Sequence, residues 1–335
     1  MTDLLLPRRA RGRPSPNAEA AYQEQRQTFC ALIQEIRSGM DFSVEVRGWC
    51  YVLEGRGHIT KGEFDACENF ITDCRKSGDL PLDICAEDDS RTTIGLQGEP
   101  DVSDPRDHAQ GWIGYLREDM PNSYRPFGFW DDKKVYVEVA VEKLDLRNLF
   151  ENPCAEFYVP ITNLKGWSDL NARAAMMRRF KQHEAAGRQC VLLLCNDHDP
   201  GGLHISESML SNLDDLSIQV GWSPDDLIIE RFGLNLDFIE ANNLTWIDNL
   251  ETSSGQRLDD RHHLDHFKPY VQSYLAAFGA RKCEANALVV APEIGRQLCR
   301  DAILRHVDAT APRRYQRRLE SAQRALRRII NDLLP

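Results

Sequence analysis

Cys190-Val191-Leu192-Leu193-Leu194-Cys195-Asn196-Asp197-His198-Asp199-Pro200-Gly201-Gly202 is the stretch on which the fold of this chain turns. Six consecutive apolar residues without alternation fit a strand covered on both faces, as in a parallel sheet. The polar turn after them ends in Asp-Pro-Gly, and an amphipathic helix follows. Upstream another strand candidate has a different pattern. Val135, Val137, Val139 and Val141 alternate with Tyr136, Glu138, Ala140 and Glu142, a strand that ends on a carboxylate, and a short helix can follow it. A second strand is expected over 157–161. Ser168 then caps a helix over 169–186 that stops at Gly187. Strand, helix, strand, helix, strand, helix predicts an α/β fold with a doubly wound parallel sheet, in which ligands bind beyond the carboxyl ends of the strands.

Residues 1–16 hold Arg8, Arg9, Arg11 and Arg13 among prolines, too polar to bury anything, and read as a disordered basic arm. A helix over 17–38 is closed by Gly39. A second begins near Ser43, carries Val46, Cys50 and Leu53 on one stripe, and is ended by Gly55 and Gly57. Thr60-Lys61-Gly62-Glu63 is a capping box opening a third helix, which buries Phe64, Cys67, Phe70, Ile71 and Cys74 and stops at Gly78. Three short helices followed by 80–84 and a polar turn predict a winged helix-turn-helix over 17–100. Residues 101–132 form a connector with a helix around 112–118, and 133–335 hold the sheet domain with a C-terminal helical extension. In that extension Leu319, Leu326 and Leu333 stand at heptad spacing with seven arginines mostly on the other face. A docked surface helix is favoured over one that tracks phosphates.

Across 335 residues, with 42% hydrophobic and 28% charged, no apolar run approaches the roughly 20 residues a bilayer requires. The short apolar start precedes its arginines, the reverse of a secretory signal, so a cytoplasmic, nucleoid-associated protein is expected. Ten cysteines without a Cys-x-x-Cys pair fit reduced core thiols. His262 with His263, and His198 with His204, lack the ligand spacing of a zinc site. A net charge of −11 argues against a protein that coats nucleic acid indiscriminately and leaves room only for local basic surfaces.

Glu142 ends one strand, and Asp197 and Asp199 follow another, so the fold brings three carboxylates to one edge. Oxygen donors of this kind suit Mg²⁺, although Asp-x-Asp-Pro-Gly taken alone also describes a solvated turn. On the second helix Arg47 and Tyr51 stand four apart on one face, away from the Val46, Cys50, Leu53 stripe. A phenol with an ordinary pKa near 10 is a poor nucleophile unless a cation or base assists it, and Arg47 could do so while gripping a phosphate. Otherwise Tyr51 packs beneath the wing.

Val141-Glu142-Lys143 at a strand end, Gly166, and Asp197-His198-Asp199-Pro200-Gly201-Gly202 together resemble the Toprim domain of topoisomerases, primases and related nucleases. The resemblance implies Mg²⁺ held by Glu142, Asp197 and Asp199, with Glu142 also moving protons. An N-terminal winged helix carrying Arg-x-x-x-Tyr, followed by such a domain, resembles the catalytic A subunit of the type IIB topoisomerase, topoisomerase VI, and its meiotic double-strand-break relatives. The likeness covers roughly residues 26–310 and includes Arg231-Phe232-Gly233-Leu234 and Glu284-Ala285-Asn286-Ala287-Leu288. Cys50 and Asn286 depart from the family, which has an aromatic residue and an Asp there. The resemblance implies that Tyr51, partnered by Arg47, attacks DNA to leave a 5′-phosphotyrosyl link and a free 3′ hydroxyl. It further implies a homodimer in which one protomer's tyrosine meets the other's metal.

No G-x-x-x-x-G-K-[ST] occurs, so strand passage would need a separate ATPase (B-type) subunit. Two rivals stand beside this reading: a metal-dependent hydrolytic nuclease in which water attacks, and a non-catalytic DNA-binding subunit. Arg11-Gly12-Arg13-Pro14 matches the core of an AT-hook, whose arginines enter a narrow minor groove, with Arg8 and Arg9 left for phosphates of double-stranded DNA.

Overall fold

The computed structural model of the chain describes residues 6–9, 15–86, 104–164, 170–252 and 256–334. In chain order its elements are α1 (Pro16–Ser38), α2 (Val46–Gly55), α3 (Phe64–Ser77), α4 (Pro105–Glu118), α5 (Met120–Ser123), β1 (Val135–Val141), α6 (Leu144–Glu156), β2 (Ile161–Asn163), α7 (Leu170–Ala185) and β3 (Gln189–Cys195), followed by α8 (Pro200–Asp214), α9 (Ser217–Val220), β4 (Ile228–Gly233), α10 (Leu236–Ala241), α11 (Pro269–Phe278), α12 (Ala287–Val290), α13 (Pro292–Leu304) and α14 (Ala311–Leu333). Short 3-10 turns lie at Lys61–Glu63 and Leu82–Ile84.

The protein is α/β, and its four strands run parallel in the order β2-β1-β3-β4. β1 and β3 are paired along their whole length, from Val135 opposite Gln189 to Val141 opposite Cys195. Residues 136–141 and 190–195 are all buried, because helices cover both faces. α6 and α13 pack together over one face, while α7 and α8 lie against β3 and β4. The chain steps outward from β1 to β2, then crosses back to β3 and out to β4. Right-handed crossovers in opposite directions put their helices on opposite faces. The direction reverses between β1 and β3, so the crevice lies beyond their carboxyl ends, where residues 142 and 196–199 emerge.

Two elements differ from the sequence expectation. The strand expected over 157–161 begins only at Ile161. Phe157 and Val159 are apolar because they enter the core from a turn, where Tyr158 adopts φ +56 and the Val159 amide donates back to the Cys154 carbonyl at 2.9 Å. The second helix begins at Val46 rather than near Ser43. Tertiary contacts hold 43–45 extended: the Ser43 carbonyl accepts from Asn148 Nδ2 at 2.6 Å, and the Glu45 amide donates to Asp145 Oδ1 at 2.8 Å. Ser168 lies outside the described residues.

In the N-terminal region, α1, α2 and α3 enclose Phe29, Ile33, Trp49, Leu53 and Ile71. The capping box forms, with the Thr60 amide donating to Glu63 Oε2 at 3.0 Å, but its first turn is a 3-10 turn before α3 proper. The segment 80–86 contains a short 3-10 turn and is anchored by Trp49 Nε1 donating to the Ile84 carbonyl at 2.9 Å. A wing would fall on 87–103, outside the described residues.

The described part of the arm is not free. Leu6 is 5% exposed and belongs to the core, Arg8 pairs with Glu63 at 3.2 Å, and Arg9 pairs with Glu19 at 3.0 Å. Burying the apolar Leu6 and Pro7 draws both arginines onto the helices, contrary to the expected disordered arm. Arg11 and Arg13 lie outside the described residues. Among the described residues no helix is long and apolar enough to cross a membrane. All ten cysteines are buried and free.

Candidate active site at the switch point

Glu142 follows β1 directly, and Lys143 is the residue before α6. From β3 the chain runs through Asn196, Asp197 and His198 to Asp199, whose Oδ1 caps α8 by accepting from the Gly202 amide at 2.6 Å. Gly202 is required here, because a Cβ at that position would lie 2.2 Å from the Asp197 carbonyl oxygen. The Asp-x-Asp turn therefore rests on the first turn of the helix.

A distant segment completes the site. The His198 amide donates to the Cys283 carbonyl at 2.8 Å and the Cys283 amide returns to the His198 carbonyl at 3.0 Å. That bridge seats Lys282, Glu284 and Ala285 against the crevice, where the Ala285 amide donates to Asp197 Oδ1 at 2.8 Å. From β4, Arg231 Nη2 donates to the Asp197 carbonyl at 3.0 Å and the Leu234 carbonyl at 2.8 Å, fixing the loop from beneath.

Lys143 lies at the centre. Its Nζ donates to both oxygens of Asp197, at 2.8 and 3.0 Å. Burial works against this ammonium, but Asp197 and then Glu284 overcome it and hold Lys143 above its ordinary range. Glu284 accepts from Lys61 Nζ and from Lys282 Nζ, each at 3.0 Å. Its burial alone would raise it, yet Lys143, Lys282 and Lys61 bring it down to about 2. Glu142 behaves in the opposite way. Burial first, then Asp197 and Asp199, push it up to about 7. Asp199 is raised for the same two reasons, burial and Asp197.

Tyr51 reaches this cluster from α2, which packs on α12 and against α6. Gly48 permits the approach, since a Cβ there would lie 2.3 Å from Asp145 Oδ2. The Tyr51 ring is half-buried, edge-on to Phe64 at 5.0 Å, with Lys61 Nζ 6.0 Å from its centre. Burial and the Glu284 carboxylate raise its hydroxyl above the ordinary value, while Lys143 and Arg47 oppose them. Arg47 is exposed and pairs with Glu68 at 2.9 Å. Its charge is favoured by Glu68 and Tyr51 against burial. Within one chain the tyrosine thus feels the charges of Glu284 and Lys143, and Asp197 and Asp199 raise Glu142.

Among the described residues no group of three or more His, Cys, Asp or Glu is arranged as a ready cation site. The reason lies in the partners already taken: Asp197 is occupied by Lys143 and the Ala285 amide, and Asp199 by the Gly202 amide. The donor chemistry nonetheless fits a hard divalent ion. These are oxygen ligands at a crevice edge, and Glu142 is raised first by burial and then by Asp197 and Asp199, with Lys143 opposing. Mg²⁺ keeps most of its waters and needs only one or two protein carboxylates, which Glu142 and Asp199 can supply.

Sequence reasoning found the acids and Tyr51 but assigned no role to Lys143, Lys61, Lys282 or Asp145. Lys143 and Glu284 stood within motifs already quoted. Lys61 lay inside a capping box that explained itself structurally. Buried polar atoms without partners gather here too: Asn196 Oδ1, His198 Nε2, Arg231 Nη1, Glu284 Oε2 and Asn286 Oδ1. No family model and no curated protein sequence matches the chain.

Proposed function

We propose that the chain cleaves double-stranded DNA by Mg²⁺-assisted tyrosine transesterification, in the manner of a type IIB topoisomerase A subunit with a winged-helix-like N-terminal module and a Toprim-like sheet domain. The observation that carries this reading is the bond of Lys143 Nζ to both oxygens of Asp197 in the Asp-x-Asp turn, with the Tyr51 hydroxyl within electrostatic reach of that lysine. A nucleophile, a cation and a carboxylate cluster converge on one topological switch point.

In the reaction the Tyr51 Oη forms a bond to phosphorus and the bond from phosphorus to the 3′ oxygen breaks. The phenol loses one proton and the departing oxygen gains one. Glu142, ionised once the metal is held, is suited to accepting the phenol proton, solvent water can protonate the departing oxygen, and Arg47 and Lys143 supply fixed positive charge at the phosphate. Bound Mg²⁺ would stabilise the developing charge on the phosphoryl oxygens. Since Tyr51 already lies beside its own chain's crevice, a homodimer would provide two such centres, one for each strand, and strand passage would need a separate ATPase subunit.

One observation favours a second reading. The Tyr51 hydroxyl faces Glu284 and is held in its protonated form, which suits hydrolysis by water with the tyrosine only packed. Supercoiled plasmid incubated with Mg²⁺, then denatured with and without protease, separates the two. Transesterification leaves protein on the 5′ ends, and both Tyr51→Phe and Glu142→Ala abolish cutting. Cutting by Tyr51→Phe at the parental rate, with unblocked ends, would establish hydrolysis. Cutting by Glu142→Ala would remove the acidic cluster from either mechanism.

A further inference from the structure

α14 is built with two opposed faces. Ala311, Tyr315, Leu319 and Ile330 are buried, and the helix lies against α4 and α5. Tyr315 stacks edge-on with Phe127, Phe129 and Tyr158, and Arg327 Nη2 donates to Asn122 Oδ1 at 3.0 Å. On the outer side Arg313, Arg317, Arg324 and Arg328 follow one another at intervals of four, seven and four residues, within about 60° of one helical face. All four are exposed. Arg313, Arg317 and Arg328 make no ion pair among the described residues, and Arg324 meets Glu320 only at 4.0 Å. Their neighbours on the flank are different: Arg314 pairs with Asp308 at 3.0 Å and Arg318 with Asp132 at 2.7 Å. Seven arginines against Glu320 and Asp332 leave this one helix at +5 in a chain of net charge −11.

We propose that the outer face of α14 is a docking surface for the phosphate backbone of duplex DNA. The four guanidinium groups extend over about 22 Å of helix axis, and duplex DNA presents one negative charge per about 1.7 Å of its own axis, so the stripe is matched by a continuous row of phosphates. A membrane surface fits poorly. A helix lying on lipid needs its apolar face free to enter the acyl boundary, and here Ala311, Tyr315, Leu319 and Ile330 of that face are buried against protein, leaving only Ile329 and Leu333 of its large apolar side chains exposed near its end.

The position adds something to the cleavage reading without resting on it. Tyr315 Oη and Arg318 contact Phe127 and Asp132, just ahead of β1, so the basic stripe starts at the amino ends of the strands. The crevice lies at the carboxyl ends, about 23 Å away along a seven-residue strand. The surface would therefore hold DNA remote from the reacting phosphate.

The test is the affinity of the full chain for a 30-base-pair duplex in EDTA, over a series of NaCl concentrations. A quadruple variant, R313Q/R317Q/R324Q/R328Q, is compared with R314Q/R318Q, both checked for unchanged helicity. The quadruple variant should bind at least tenfold more weakly at 100 mM NaCl, and its plot of log affinity against log salt should be shallower by about 3.6, near 0.9 for each of the four phosphates no longer neutralised. R314Q/R318Q should change the slope by less than half a unit. Equal losses in the two variants, or no change in the quadruple variant, would overturn the proposal. Competition by poly-glutamate as effective as by duplex would assign the stripe to an acidic protein instead. Because no cleavage is read, failure here is distinct from failure of the transesterase reading.

Discussion

Two glutamates at one switch point show how differently the two sides of the crevice are built. Glu284 lies on a balanced side: Lys61, Lys143 and Lys282 surround it and bring its carboxyl down to about 2. Glu142 lies on an under-neutralised side, where burial and the neighbouring Asp197 and Asp199 raise it to about 7. The same side chain, at two positions far apart in the sequence that meet at one crevice, is a structural clamp in one place and a poised acid in the other. The difference comes from where the lysines fall. Lys143 alone opposes the rise at Glu142, whereas three lysines act together on Glu284.

The contrast fixes opposite signs for a single chemical change. A lowered carboxyl pKa contributes stability that is present above about 4.5 and is lost as pH falls toward 2. Glu284→Gln should therefore destabilise the protein by about 2 kcal/mol at pH 8 in EDTA, because three lysines lose their shared partner, and the deficit should close in acid. A raised pKa does the reverse: the folded state holds the proton more tightly, and stability falls as pH rises from about 4.5 to about 7. Glu142→Gln should stabilise the protein by about 1 kcal/mol at pH 8, after allowance for its partial exposure, and the gain should shrink as pH falls from 7 to 4.5. Thermal melts of both variants across pH check the pair. If the two substitutions shift stability in the same direction, the division of the crevice into two electrostatic halves is wrong.

The parallel sheet was legible because its central strands obey a simple rule. Residues 190–195 are uniformly apolar since helices cover both faces, and Val135–Val141 stops on Glu142 where the cover ends. β4 escaped notice because Glu230 and Arg231 interrupt its apolar run, and both are explained only by distant partners: Glu230 by Arg305 and His306, Arg231 by the Asp197 carbonyl. β2 was displaced for a related reason, since Phe157 and Val159 are apolar for the core and not for a strand. At the site, spacing revealed the acids, which follow strands directly. It could not reveal that Lys61 and Lys282, 221 positions apart, would meet at Glu284. Nor did it show that Glu63 and Glu19 would claim Arg8 and Arg9. Long-range pairing of charges leaves no periodic mark on a sequence.

The direct measurement is calorimetric titration of Mg²⁺ into the full chain at pH 7 in buffers of different ionisation enthalpy, with Glu142→Gln alongside. A divalent ion held by the under-neutralised side must displace the proton that Glu142 partly retains at this pH. Binding should therefore release a substantial fraction of one proton per Mg²⁺, the release should fall toward zero by pH 8.5, and Glu142→Gln should lose both the proton release and most of the affinity. Mg²⁺ uptake without proton release, or equal uptake by Glu142→Gln, would contradict the account.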